Sequence, residues 1–165
     1  MKLKKKVKVI LILAIILIVT GVGFLAYESI KPKKVRTATV ENEIPEYGYT
    51  LKSTRNDRYK KMFQELKEIL DKKEGDEKAY LEQISKMFIM DFYTLDDKLA
   101  NTDVGGIDFV HSDAKTNFLE KSEDTVYKYV ENDIYGNRKQ TLPEITDVTV
   151  ENIENIEYTI GTDFT

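Results

Sequence analysis

Four aspartates lie close together in the loop LDDKLANTDVGGIDF, and paired carboxylates are the groups that glycosidases use as acid and base. That chemistry requires two carboxylates held about 5–10 Å apart across a sugar cleft. Proximity along a loop does not set such a distance, and 33% of the residues in this chain are charged, so a cluster of this kind is expected by chance. We therefore predict no catalytic residue and no enzyme, and keep a cell-surface hydrolase as a second alternative; the four are Asp96, Asp97, Asp103 and Asp108.

The same loop matches the pattern of a metal-binding site only in part. The stretch 101–108, NTDVGGID, resembles the start of a calcium-binding loop, but Ser112 stands where a bidentate Glu would close it. The pair Gly105-Gly106 is explained more simply by a turn between helices. A zinc site of three or four His and Cys ligands is excluded, because His111 is the only His and the chain has no Cys. We predict no metal and no cofactor, and place His111 at the surface beside a helix cap.

Residues 9–27 form an uncharged apolar run between two groups of lysines. As a helix the run would be about 28 Å long, close to the thickness of the hydrocarbon core of a bilayer. This predicts a transmembrane helix over 9–27, preceded by a basic cytoplasmic tail over 1–8. A cleaved signal peptide is the alternative, but its apolar run is shorter and its cleavage site needs small residues, whereas this run ends Phe24-Leu25-Ala26-Tyr27. The basic tail favours the N-terminus inside, which predicts a single-pass cell-membrane protein with residues 28–165 outside.

Net charge narrows the choice of partners. All 29 acidic residues follow the apolar run, and with 20 basic residues they give residues 28–165 a net charge of −9. A domain with this negative charge is repelled by the phosphate backbone of nucleic acids. We therefore expect no nucleic-acid partner. The predicted partners are the lipid bilayer and either another protein or a second copy of the chain. Tyrosine, of which the chain has 10, is the best candidate for such a surface because it combines apolar area with a polar tip.

The part predicted to lie outside the membrane, residues 28–165, divides into a stem over 28–52, which prolines interrupt, and a domain over 53–165. Thr54 to Asp57 matches a capping box, and a helical apolar face follows. Asp76 is predicted to cap a second helix over about 77–95, in which Phe88 and Phe92 are buried. A third helix is expected after Ser112, with an apolar face that continues to Val130.

From Glu144 the pattern changes to alternation, which predicts two short strands over about 145–151 and 155–161. The fold class is therefore α+β: a transmembrane helix, then three helices packed on a short antiparallel sheet. Such a two-stranded ribbon has unpaired outer edges, which favour strand addition from a second molecule. The candidate interaction edge consists of Ile156, Tyr158 and Ile160.

The order of anchor, stem, helices and strands resembles extracytoplasmic cone-shaped domains of the nuclear-transport-factor-2-like (NTF2-like) class, including VirB8-like assembly proteins of conjugation systems. The segments FIMDFYTLDDKLANTDVGGIDFV and AKTNFLEKSEDTVYKYV are also similar to uncharacterised single-pass proteins of low-GC Gram-positive bacteria. The resemblance implies three helices around a curved sheet of about four strands. Only two strands are predicted here, so the cone fold would be incomplete. The resemblance implies no catalytic residue.

Together these features predict a membrane-anchored extracytoplasmic module that binds proteins or assembles an envelope complex, without catalysis. A VirB8-like subunit of a conjugation or secretion apparatus is the first alternative.

Overall fold

The structure is a computed structural model, and it describes residues 5–30, 34–72 and 75–154. The chain forms two compact units, Met1–Lys34 and Val35–Thr165.

The first unit contains one helix, α1 (Lys5–Ile30). It begins among the lysines and ends beyond Glu28, so it is longer at both ends than the apolar run that it contains. Within the described residues, no helix meets the length and apolarity that crossing a membrane requires. The prediction of a transmembrane helix over 9–27, and the fold class that included it, is corrected by this finding.

The second unit begins with a β-hairpin in the segment predicted to be a stem. Strands β1 (Val40–Ile44) and β2 (Tyr49–Lys52) pair antiparallel, with Ile44 opposite Tyr49 and a bulge between Val40 and Asn42. The turn includes Gly48 with a φ of 70°, a left-handed conformation that glycine adopts without strain. The prediction of an irregular stem over 28–52 is therefore wrong for residues 40–52. Pro45 breaks no element because it lies in the turn itself.

Two helices follow, close to the predicted positions. Helix α2 (Asp57–Leu70) is capped by Asn56, whose side chain accepts a hydrogen bond from the backbone of Tyr59; the expected cap at Thr54 is not used. Helix α3 (Glu77–Tyr93) begins at the predicted cap, Asp76, which accepts from the backbone of Ala79. Both caps satisfy amide groups that the first turn of a helix leaves unpaired.

The predicted third helix is shorter than expected. Short 3-10 turns at Ile107–Phe109 and Ser112–Ala114 precede α4 (Lys115–Asp124). From Thr125 the chain continues in turns, yet Tyr127 and Val130 still bury their side chains. Apolar residues at spacings of three and four occur in consecutive turns as well as in a helix. For this reason the predicted helix extended beyond the true end of α4.

No strand is present in the described residues after β2, so the predicted strand over 145–151 is wrong. The side chains from Val148 to Glu151 alternate between half-buried and exposed, as the sequence pattern indicated, but their backbone pairs with no other strand. Pro143 accepts hydrogen bonds from Leu95 and Asp96, and these contacts tie the segment to the end of α3. The second predicted strand and the candidate edge, Ile156, Tyr158 and Ile160, lie outside the described residues.

The core has two apolar clusters. The first joins the hairpin to α2 and α3, and the second joins the end of α3 to the turns after α4. Phe92 is buried as predicted, whereas Phe88 is only half-buried and stacks on Phe92 with ring centroids 5.6 Å apart. In the part of the chain that the structure describes, the hairpin is the short sheet on which helices pack.

Candidate functional site

Arg55 lies at the centre of a buried ion cluster, which we define as Arg55, Asp91, Asp97, Lys98 and Asp103. Its guanidinium is only 2% exposed, and its Nε atom is 2.6 Å from an Asp91 carboxylate oxygen. Lys98, fully buried, lies 3.2 Å from Asp91 and 2.5 Å from Asp97. Asp103 is 3.4 Å from Arg55 and 2.7 Å from the more exposed Lys52. The cluster therefore joins the end of β2 to the end of α3 and to the loop that follows.

The pKa values in this cluster follow from burial and from the nearby cations. Burial raises the pKa of Asp103, but Arg55 and Lys52 outweigh it and bring that pKa down to about 2. Burial likewise opposes ionisation of Asp91, and Lys98 and Arg55 hold its pKa below the usual value. At Asp97 burial prevails over Lys98 and Arg55, so its pKa is raised.

These contacts determine what the aspartates predicted in this loop can do. Asp97 and Asp103 are neutralised by cations, and the space beside Arg55 and Asp91 is only about 10 Å³, too small for a sugar. Asp108 accepts hydrogen bonds from the backbone and side chain of Thr50, at 2.7 and 2.8 Å. Asp96 is exposed. The structure thus brings Asp97 and Asp103 together around Arg55, in an arrangement suited to holding the fold.

Asp91, which sequence analysis missed together with Arg55 and Lys98, also fixes the glycine pair. Its carboxylate accepts from the backbone of Gly106 at 2.7 Å, and Gly106 has the left-handed φ of 73° that the predicted turn requires. A Cβ atom at Gly105 would lie 2.1 Å from the Asp91 carbonyl oxygen. The prediction of a turn is confirmed. His111 is at the surface, and its Nδ1 atom accepts from the backbone of Asp113, as expected for a residue beside a cap.

An exposed aromatic surface lies at the hairpin turn. Tyr47 is 46% exposed, and its ring stacks on Tyr49 with centroids 5.8 Å apart and lies 6.0 Å from the ring of Tyr80. The hydroxyl groups of Tyr49 and Tyr80 are 2.5 Å apart. Burial and this hydrogen bond raise the pKa of Tyr49 well above its usual value, so the hydroxyl stays protonated.

Two neighbouring clefts share Tyr47 as a lining residue, and together we call them the tyrosine cleft. The first, of about 310 Å³, includes Ile69, Leu70 and Tyr80. The second, of about 370 Å³, includes Ile44, Pro45 and again Leu70. Tyr47 and Leu70 belong to both, so the two partly apolar depressions adjoin each other at these side chains.

Acidic side chains predominate at the rim of the tyrosine cleft. Among the described residues, the cations of this rim are Lys67 and Lys72, and Lys67 is hydrogen-bonded to Asn42. None of the acidic side chains at the rim forms an ion pair within the described residues. These acidic residues are Glu43, Glu46, Asp71, Asp76 and Glu77.

Sequence analysis predicted that tyrosines form the interaction surface, but it assigned the segment of Tyr47 and Tyr49 to the stem over 28–52. The signal that would have located the cleft is the segment EIPEYGYT, a turn with Pro and Gly between two short alternating runs. Comparisons of the chain with protein-family models, curated proteins and solved structures found no match. The resemblance to NTF2-like and VirB8-like domains stays a prediction.

Proposed function

We propose that the second unit is a non-catalytic protein-binding module and that the tyrosine cleft is its binding surface. The observation that carries this proposal is an exposed tyrosine, Tyr47, braced by Tyr49 and Tyr80 where two depressions adjoin. Tyrosine is enriched at the centres of interfaces, where a rigid aromatic side chain loses little conformational freedom on binding. The proposal is also supported by Asp103, which Arg55 and Lys52 keep ionised, and by the space of only about 10 Å³ beside Arg55 and Asp91.

Site-specific photocrosslinking tests this function. A photoreactive phenylalanine analogue replaces Tyr47 in the full chain, in the cells that make it, and Tyr129 is replaced in a control chain. Tyr129 is the matched control because it is 76% exposed and lies outside the cleft. We expect a discrete protein adduct from position 47 and none from position 129. Equal adducts from both positions, or none from position 47, would contradict the proposal.

We also propose that α1 associates with a lipid bilayer. Its described side chains leave large apolar groups exposed, among them Leu17 at 74%, Ile18 at 63% and Phe24 at 64%, and lysines precede them. A continuous apolar surface of this kind is typical of a membrane or protein contact. The full chain is expected to float with anionic lipid vesicles in a density gradient, and the double variant Leu17→Glu/Phe24→Glu to stay at the bottom. Equal flotation of both chains would rule out this role for α1.

The position of the second unit outside the cytoplasm, and a role in a conjugation or secretion apparatus, stay predictions. Neither is needed for the binding proposal, since the tyrosine cleft lies entirely within the second unit.

A further inference from the structure

We infer that the tyrosine cleft binds an extended, basic, proline-containing segment of a partner protein. This inference rests on the proposed function and names the class of ligand for the same surface. Segments in the polyproline II conformation bind aromatic-lined grooves because they are already extended and lose little entropy on binding.

The shape of the surface favours such a segment. Two adjacent depressions, of about 310 and 370 Å³, share Tyr47 and Leu70 as lining residues. A polyproline II segment repeats every three residues, so it presents successive apolar rings on one side and can place one ring in each depression. The Tyr47 ring is supported before binding, because it is stacked on Tyr49 with only 16° between the ring planes, and Tyr49 is hydrogen-bonded to Tyr80.

The charge of the rim specifies the flanking residues of the ligand. Glu43, Glu46, Asp71 and Glu77 form no ion pair within the described residues, and their carboxylates face solvent around the two depressions. Lys or Arg next to the prolines would find complementary charge there, which increases association rate and selectivity. An acidic segment would be repelled.

The two other common modes of peptide recognition fit this surface less well. Addition of a strand to the hairpin requires an open edge, but the backbone of Thr50 on β2 is bonded to Asp108, and β1 carries a bulge together with Glu41 and Glu43. Bulges and charges on an edge strand oppose pairing with another chain. Docking of an amphipathic helix requires a continuous apolar groove, whereas charged side chains make up much of the lining of these two depressions.

Three fluorescent peptides, titrated into the full chain and followed by anisotropy, test this inference. The first contains prolines at a spacing of three with Lys and Arg between them. In the second the prolines are replaced by Ala, and in the third the basic residues are replaced by Glu. The same titrations use the variants Tyr47→Ala and Tyr129→Ala, and circular dichroism verifies that both variants are folded.

We expect the basic proline peptide to bind at least about tenfold more tightly than either control peptide, with an affinity that falls as ionic strength rises. Tyr47→Ala should abolish this preference, and Tyr129→Ala should keep it. Equal binding of the proline and alanine peptides, or no binding of any peptide, overturns the assignment of the ligand class. Neither result affects the proposed function, which is tested separately by the photocrosslinking experiment at position 47.

Discussion

The Nε atom of Arg55 lies 2.6 Å from the Asp91 carboxylate, and this contact links the turn after β2 to the last turn of α3. Both side chains are almost completely removed from solvent. The ion pair therefore holds the hairpin against α3, the helix at the centre of the core. Tyr47 and Tyr49 lie on this hairpin. Removal of either charge leaves the other one buried and partly uncompensated.

Asp91→Asn is accordingly expected to lower the free energy of unfolding by about 3–5 kcal/mol, the usual cost of breaking a buried ion pair. The measurement is urea denaturation of the full chain. Asp96→Asn is the matched control, because the Asp96 side chain is 60% exposed and 3.8 Å from Arg138, so its loss should change stability by less than about 0.5 kcal/mol. A smaller loss for Asp91→Asn than for Asp96→Asn would show that the buried ion cluster does not hold the fold.

Acid should weaken the domain through Asp103. Its pKa in the folded protein is about 2, below the unfolded value of 3.8, so its ionised form stabilises the fold above about pH 4. This contribution is lost as the pH falls from about 4 to 2, and it amounts to about 2 kcal/mol. The raised pKa of Asp97 acts in the opposite direction. Urea denaturation at pH 5 and pH 3 should show a smaller loss of stability for Asp103→Asn than for the unchanged chain. An equal loss would assign the acid sensitivity to other groups.

Close packing at Gly105 predicts that even one added methyl group is not tolerated there. In Gly105→Ala the Cβ atom would lie 2.1 Å from the Asp91 carbonyl oxygen, so the loop or α3 must move, at a cost of about 1–3 kcal/mol or more. Gly75→Ala is the control, since a Cβ atom there meets nothing within 4 Å. Thermal melting should show a lower melting temperature for the first variant and little change for the second. Equal melting temperatures would mean that the loop adjusts freely.

Tyr127 should contribute through its hydroxyl group as well as its ring. The hydroxyl donates to the Phe92 carbonyl at 2.6 Å and accepts from the Gly105 amide at 3.0 Å, and the residue is fully buried. Tyr127→Phe leaves both backbone groups unpaired, at an expected cost of about 1–3 kcal/mol. Tyr129→Phe, at a position that is 76% exposed, is expected to be nearly neutral in the same urea titration. If both variants were neutral, water would have to replace the lost hydrogen bonds.

The helical part of the fold was predictable because its signals are local. Asp76 capped α3 as expected, and the apolar faces of α2 and α3 follow the sequence period. The hairpin was missed because its strands have only five and four residues, and β1 carries charges on its exposed positions. A strand that short is stabilised by packing against the helices. This packing joins residues far apart in the chain, so a local sequence pattern does not reveal it.

The buried ion cluster could not be predicted for a similar reason. Arg55 and Asp91 are separated in the chain by the whole of α2 and most of α3, and an isolated charged residue in a sequence is normally exposed. Sequence analysis singled out Asp103 in the loop, but its partners are Arg55 and Lys52, which lie far away in the chain. The strand over 145–151 was predicted from alternating apolar residues, and the burial of these side chains does alternate. Alternation indicates packing against one surface, but it does not provide a partner strand.

The binding role of the tyrosine cleft is tested most directly by the affinity of the partner captured at position 47. With that partner purified, calorimetry measures its dissociation constant for the unchanged chain, for Tyr47→Ala and for Tyr129→Ala. A central aromatic residue typically contributes more than about 1.4 kcal/mol, so Tyr47→Ala should raise the dissociation constant at least tenfold while Tyr129→Ala changes it by less than about twofold. Equal constants for all three chains would contradict the assignment of the tyrosine cleft as the binding surface.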